Sequence, residues 1–230
     1  MMRTVPLRRA TLARFAILAS LAFAAPLAFV GCAVLGVAAN AMPKPPVKPK
    51  VVLAGQSVGI MVWTDRGLRA AWPNVQSDLG GGVQFRLTDT IAKDPKNKEL
   101  AGVTFPYPAA SFVRWLRDRP EAEFEPIANV APRLHVQRLI YVELNSLETR
   151  SSNAMALFRG SADATVKCFA IDDPAKPATL LYEERIKVTY PKTSTDDGRP
   201  DSTDQKMYVG TLTALADELA KRFIEHPAED

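Results

Sequence analysis

Apolar and polar positions beyond Lys50 alternate with the periods of strands and helices, whereas the run Phe15 to Pro43 carries no charged side chain at all. Ser57 to Trp63 is apolar on both faces and predicts a central strand covered on both sides. After Pro73, which suits the first turn of a helix, Val75, Leu79, Val83, Leu87 and Ile91 recur every four residues and mark one helical face. Pro108 to Pro120 reads as a short helix with Phe112, Val113 and Leu116 inward and Arg114, Arg117 and Arg119 outward. A helical turn then runs into a strand in which Ile140, Val142 and Leu144 alternate with Tyr141, Glu143 and Asn145, a half-buried pattern. Two further strands, Met155 to Asp172 and Ala178 to Pro191, are separated by the turn-rich DDPAKP and imply antiparallel hairpins. In the second of them Tyr182, Ile186, Val188 and Tyr190 share a face. A polar loop follows, and a closing helix from about Met207 to Ile224 carries Leu212, Leu215, Leu219 and Phe223 on one stripe. The order predicts an α+β fold: a mixed or antiparallel sheet of about four strands with helices packed on it, preceded by an N-terminal signal or anchor segment.

The uncharged run follows Arg3, Arg8, Arg9 and Arg14, a targeting pattern. Its apolar part before Cys32, Phe15 to Gly31, is 17 residues long, against about 7 to 15 for the core of a secretory signal. Val30, Gly31 and Cys32 resemble the lipobox of bacterial lipoproteins, which implies that Cys32 is the site of lipid attachment and the mature N-terminus, acylated by chains such as palmitate. Phe29 stands where leucine is usual, and the ten residues after Cys32 are more apolar than most lipoprotein tethers. The rival reading is one uncleaved helix from Phe15 to Ala39, about 25 residues and long enough to cross a bilayer. Both readings tie the chain to a membrane of the bacterial cell envelope and place the remainder outside the cytoplasm. The expected organisation is a signal peptide or anchor at 1–31, an apolar and Pro/Lys-rich tether at 32–56, and a single α+β domain at 57–226. Within the tether, PKPPVKPK favours an extended polyproline II path reaching about 25 Å, and its lysines can lean on anionic head groups.

This division removes the apparent basicity of the chain. Of 29 basic residues, four arginines precede Cys32 and three lysines lie between Pro43 and Lys50, which leaves 22 against 25 acidic residues in the folded part. No basic footprint for nucleic acid remains. The second cysteine, Cys168, falls on one strand face with Ala162, Ala164, Val166 and Ala170 and reads as a small core residue; with Cys32 acylated, no intrachain disulfide forms.

Candidate chemistry is sparse. Only His135 and His226 exist, so a histidine-rich metal site is excluded and a Ser-His-Asp triad would have to use one of them. His135 stands at a helix-to-strand junction with no GxSxG nearby, and His226 precedes Pro227 in the tail. Glu183 and Glu184 are adjacent in a strand and point to opposite faces, which argues against a paired-carboxylate centre. Asp196, Asp197, Asp201 and Asp204 lack the spacing of a calcium loop and read as solvated. Gly80, Gly81 and Gly82 fit neither a P-loop nor a dinucleotide fingerprint and suggest a close approach inside a helix. The expectation is a chain without catalytic residues, cofactor or metal.

The segment VAPRLHVQRLIYVEL places a short helix directly before a strand. It resembles a group of envelope domains that includes the curli-secretion lipoprotein CsgG, the penicillin-binding-protein activator LpoB and the amino-terminal domain of TolB. A motif of the type A-x-x-L-x-V-x-x-L-I feeds a strand there, and Ala131, Leu134, Val136, Leu139 and Ile140 match it. The resemblance implies docking proteins without catalysis and transfers no functional residue. The expected function is therefore a membrane-tethered accessory module for an envelope protein, with an oligomeric secretion component similar to CsgG and an envelope hydrolase as alternatives.

Overall fold

The computed structural model describes residues 45–95, 97–151, 156–192 and 199–228. The lipobox residues Val30, Gly31 and Cys32 and the run Phe15 to Ala39 lie outside the described residues, as do Asp196 and Asp197. The second of the chain's two units spans Val47–His226. Everything below concerns the second.

The unit is α+β, with one mixed four-stranded sheet and helices on both faces. Strand β1 (Val58–Thr64) is followed by helices α1 (Arg66–Ala71), α2 (Val75–Lys93) and α3 (Ala109–Arg117). A 3₁₀ turn (Pro120–Phe124), the short helix α4 (Ile127–Val130) and a second 3₁₀ turn (Ala131–Leu134) lead to β2 (Arg138–Arg150), β3 (Phe158–Ala170), β4 (Thr179–Tyr190) and helix α5 (Asp204–Ala220). Sheet order is β1-β2-β3-β4. The first pair is parallel, with Ile60 beside Ile140, and the others are the antiparallel hairpins read from the sequence, with Ile140 beside Cys168 and Cys168 beside Tyr182.

Helix α2 has the expected face: Val75, Leu79, Val83 and Leu87 are fully buried. Together with α5 it covers one side of the sheet, over Ile60, Val62, Ile140, Val142, Leu144, Ala164, Val166 and Cys168. Two of the three glycines permit close approach, since a Cβ on Gly80 would stand 2.9 Å from Ala109 Cβ and one on Gly82 3.2 Å from Ala216 Cβ. The closing helix begins three residues earlier than its apolar stripe suggests, because the Thr203 hydroxyl accepts the Lys206 N–H at 3.2 Å and caps it. Asp204, read as a solvated loop residue, is instead the first residue of this helix. It accepts bonds from Thr149 at 2.6 Å and Arg150 at 2.6 Å.

Among the described residues, the other side of the sheet is covered over only part of its width. Met61, Leu139, Tyr141 and Phe169 pack there beneath Phe112, Leu116, Val130, Ala131, Leu134 and Val136. Two expectations change as a result. Strand β1 is buried on both faces as predicted but lies at the edge of the sheet, its outer groups met by other partners: Val58 N–H donates to Thr104 O at 2.8 Å, and the Gln76 amide donates to Val62 O at 2.8 Å. Strand β2 is half-buried only in its second half, because the layer under α3 and α4 also covers Leu139 and Tyr141. Within α3, Ala109, Phe112 and Leu116 are the buried residues, and Val113 is only partly covered.

Residues 47–56, assigned on composition to the tether, carry packing and pairing. Val47 and His226 form an antiparallel bridge, with N–H to O distances of 2.8 and 3.1 Å, and Lys50 N–H donates to Arg222 O at 2.7 Å. Leu53 is fully buried, and its N–H reaches Glu99 O at 3.0 Å. Leu100 is also in the core. Among the described residues no helix is long and apolar enough to cross a membrane.

Candidate functional site

The layer under α3 ends in a cavity of about 550 Å³ lined by Tyr107, Ser111, Phe112, Trp115, Arg119, Arg133, Leu134 and His135. Prolines shape its walls. Pro108 stands at the start of α3 in an extended conformation, and Pro120 and Pro132 open the two 3₁₀ turns. The second turn ends on His135 in the left-handed region (φ 53°, ψ 43°), which non-glycine residues occupy rarely and histidine more readily than most. This reversal delivers the chain into β2, where Gln137 N–H donates to the Ser57 hydroxyl at 3.0 Å and the Gln137 carbonyl oxygen of the side chain accepts Ser57 N–H at 2.9 Å.

Trp115 is the centre of the cavity. The guanidinium carbons of Arg119 and Arg133 lie 4.9 and 5.7 Å from its ring centroid, within the range of cation–π attraction. Arg133 also pairs with Glu125 at 2.7 Å. Tyr107 meets Phe112 edge-on at 6.1 Å, and its ring stays partly exposed. Among the described residues no acidic side chain lines this cavity. Aromatic faces backed by guanidinium groups suit an acidic or aromatic segment of a protein partner. Phe124, at the end of the first 3₁₀ turn, is 85% exposed.

A larger trough, about 1050 Å³, follows α5, and several of its charges answer one another. Arg86 pairs with Asp217, Lys221 with Glu218 at 2.8 Å, and Lys192 with Glu218 at 3.3 Å. A third feature is the uncovered half of the sheet, where Lys167 reaches Glu143 at 2.9 Å and Glu183 at 3.5 Å, and Asp163 receives Arg185 at 2.7 Å and Lys187 at 3.6 Å. The Arg185 hydrogen bonds, helped by Asn145 and by the charges of Arg185 and Lys187, hold the Asp163 carboxyl at about 2, against the resistance of burial. A carboxyl depressed in the folded state contributes stability above its ordinary value of 3.8, and that contribution is lost as pH falls toward 2. Asp163→Asn is accordingly expected to lower the denaturation midpoint at pH 6 and to have a progressively smaller effect between pH 4 and 2. An equal deficit at both ends of that range would contradict the assignment.

The remaining residues singled out in the sequence do not converge. Glu183 and Glu184 occupy opposite faces: the first meets Lys167, and the second accepts Arg222 at 3.0 and 3.2 Å together with the Tyr182 hydroxyl. Cys168 is fully buried, and burial pushes its thiol up to about 12, where a thiolate does not form at neutral pH. His226 is engaged through its backbone and lies apart from the cavity that His135 lines. Among the described residues no cluster of three His, Cys, Asp or Glu is placed to hold a metal. All five residues of the A-x-x-L-x-V-x-x-L-I motif are buried: Ala131, Leu134, Val136 and Leu139 pack on the cavity side of the sheet, and Ile140 lies on the other side under α2 and α5. Sequence reading missed the cavity itself, although the prolines at 108, 120 and 132 signal that the chain between them turns back on itself.

No family model matches the chain, and no curated protein does. Among solved structures it is similar to lipoprotein GNA1162 from Neisseria meningitidis, with a TM-score of 0.41, 10% identity and coverage of 72% of this chain and 98% of that one. It is similar also to the PelC dodecamer from Paraburkholderia phytofirmans (TM-score 0.38, 6% identity, 80% and 97% covered) and to the hypothetical protein CT253 from Chlamydia trachomatis (TM-score 0.36, 14% identity, 71% and 97% covered).

Proposed function

We propose that the chain is a membrane-tethered, non-catalytic envelope lipoprotein whose folded unit docks on another envelope protein through the Trp115 cavity. The observation that carries the tether is Cys32 itself, preceded by Val30 and Gly31 within an uncharged run that begins after four arginines. Acylation there gives durable attachment, because each buried methylene contributes about 0.8 kcal/mol and two or more chains act together. What supports docking is the chemistry of the cavity: a ring flanked by two guanidinium groups, open at the surface and, among the described residues, lined by no acid. An oligomeric secretion component similar to CsgG is the other reading.

Cys32→Ala is expected to abolish acylation and the cleavage that precedes it. Intact-mass analysis of the wild type should show a lipid-modified chain beginning at Cys32. A wild-type mass that still includes Arg3 to Arg14 with no added lipid would establish the uncleaved helix instead. For docking, a photoreactive residue at Tyr107 is expected to yield one discrete envelope adduct in cells that Trp115→Ala removes; an adduct indifferent to Trp115 would refute the role of the cavity. A large closed ring in detergent would favour the secretion reading.

A further inference from the structure

The two edges of the sheet are treated differently. Beyond β1, Thr104 and Gln76 meet the outer backbone groups. Beyond β4 no described strand pairs, and no hydrogen bond from the described residues reaches the outer backbone of Thr179–Tyr190. Such an edge is a template for another strand. Its regular part starts at Tyr182, just after the register shift opposite Cys168 and Phe169.

We infer that this edge pairs with the same edge of a second copy, antiparallel and centred on Glu184, so that two four-stranded sheets join into one of eight. The occupant is argued from charge complementarity. With Glu184 on the two-fold axis, Glu183 of each chain stands opposite Arg185 of the other on the face that bears the ion-pair lattice, and Tyr182 stands opposite Ile186 on the other face. Opposite charges directly across antiparallel strands attract and like charges repel. Neighbouring registers match less well: centring on Arg185 brings Glu183 opposite Lys187 but sets two arginines face to face on that same face, and centring on Ile186 sets Arg185 against Lys187. Centring on Glu183 opposes two glutamates. Glu184 also meets its own copy in the preferred register, but each Glu184 carries Arg222 of its own chain at 3.0 Å, so the axis holds two carboxylates and two guanidinium groups. At the end of the paired span Leu181, 47% exposed, comes opposite Lys187, whose methylene stem can cover it. The inference concerns a different face from the Trp115 cavity and stands independently of the docking reading.

The test uses the full chain in detergent. Native mass measurement is expected to give a dimer for the wild type, and Glu183→Arg or Arg185→Glu alone should weaken association about tenfold or more. An equimolar mixture of the two variants should restore a dimer holding one chain of each, since the reversed charges then face one another. A purely structural defect in either variant cannot produce that mixed dimer. A monomeric wild type overturns the inference, as does failure of the mixture to pair when both variants keep the wild-type circular dichroism. Should either variant fail to fold, Glu184→Cys in intact membranes decides: a short bis-maleimide should link it to its copy above the wild-type background, and no such link would overturn the pairing.

Discussion

Phe223→Ala is expected to lower stability by about 3 to 5 kcal/mol, the range for removing a fully enclosed aromatic side chain. Phe223 is completely buried although it lies past the end of α5, in a turn closed by Phe223 N–H on Ala220 O at 2.9 Å. It therefore holds down the segment from which Arg222 reaches Glu184 and accepts Lys50 N–H. Chemical denaturation of the purified protein measures the loss. Amide exchange should report it locally as well, with the N–H groups of Val47 and His226 losing protection before those of β2. A cost under about 1 kcal/mol would mean that the surrounding residues close the cavity, since the cost depends on how well the site collapses.

Gly160→Ala is the second large effect, expected to cost about 2 to 3 kcal/mol through overpacking. A Cβ on Gly160 would coincide with Thr211 Oγ1 and stand 3.1 Å from Thr211 Cβ and 3.3 Å from Met207 O. Helix α5 packs on β3 at that point. Thr211→Ala alone should cost little, because Thr211 Oγ1 is buried without a hydrogen-bond partner and its removal relieves an unmet desolvation penalty. Combined, the two substitutions should be less damaging than their sum by about 1 to 2 kcal/mol, since the deleted hydroxyl is what the new methyl strikes. Rescue stays partial, as the Met207 carbonyl remains. Strict additivity in a denaturant series would show that the clash is relieved by movement elsewhere.

The sequence made the helical faces plain because their period is local: four-residue spacing from Val75 to Ile91 leaves one stripe, and the stripe is buried. Strand number and the antiparallel hairpins were equally legible, since alternation and turn residues act over a few positions. The edge position of β1 was not. Apolar residues on both faces report that layers lie above and below, and they say nothing of how many strands lie beside. Asp204 was misread because a polar run conceals a helix start when the capping threonine is one of several Ser, Thr and Asp residues together. The Trp115 cavity was invisible for another reason: Tyr107 comes from a loop, Trp115 from α3, and Arg133 and His135 from the second 3₁₀ turn, and only the prolines hint that these converge. Gly160 left a weak signal, an isolated glycine inside an alternating strand, which points to close backbone approach. The proposed lipid attachment at Cys32 rests on the sequence alone.

The Val47 to His226 bridge has a consequence for engineering. The first and last residues of the folded unit are hydrogen-bonded neighbours, so a short linker can rejoin them and new termini can be opened elsewhere. The Asp173 to Lys176 turn between β3 and β4 is exposed and already closed by its own contacts, Ala175 N–H to Asp173 at 3.0 Å and Lys176 to Asp173 at 3.0 Å, and cutting there leaves every element intact. The same adjacency makes the unit a natural insert: spliced into a surface loop of a host protein, it spans a gap no wider than one strand pairing.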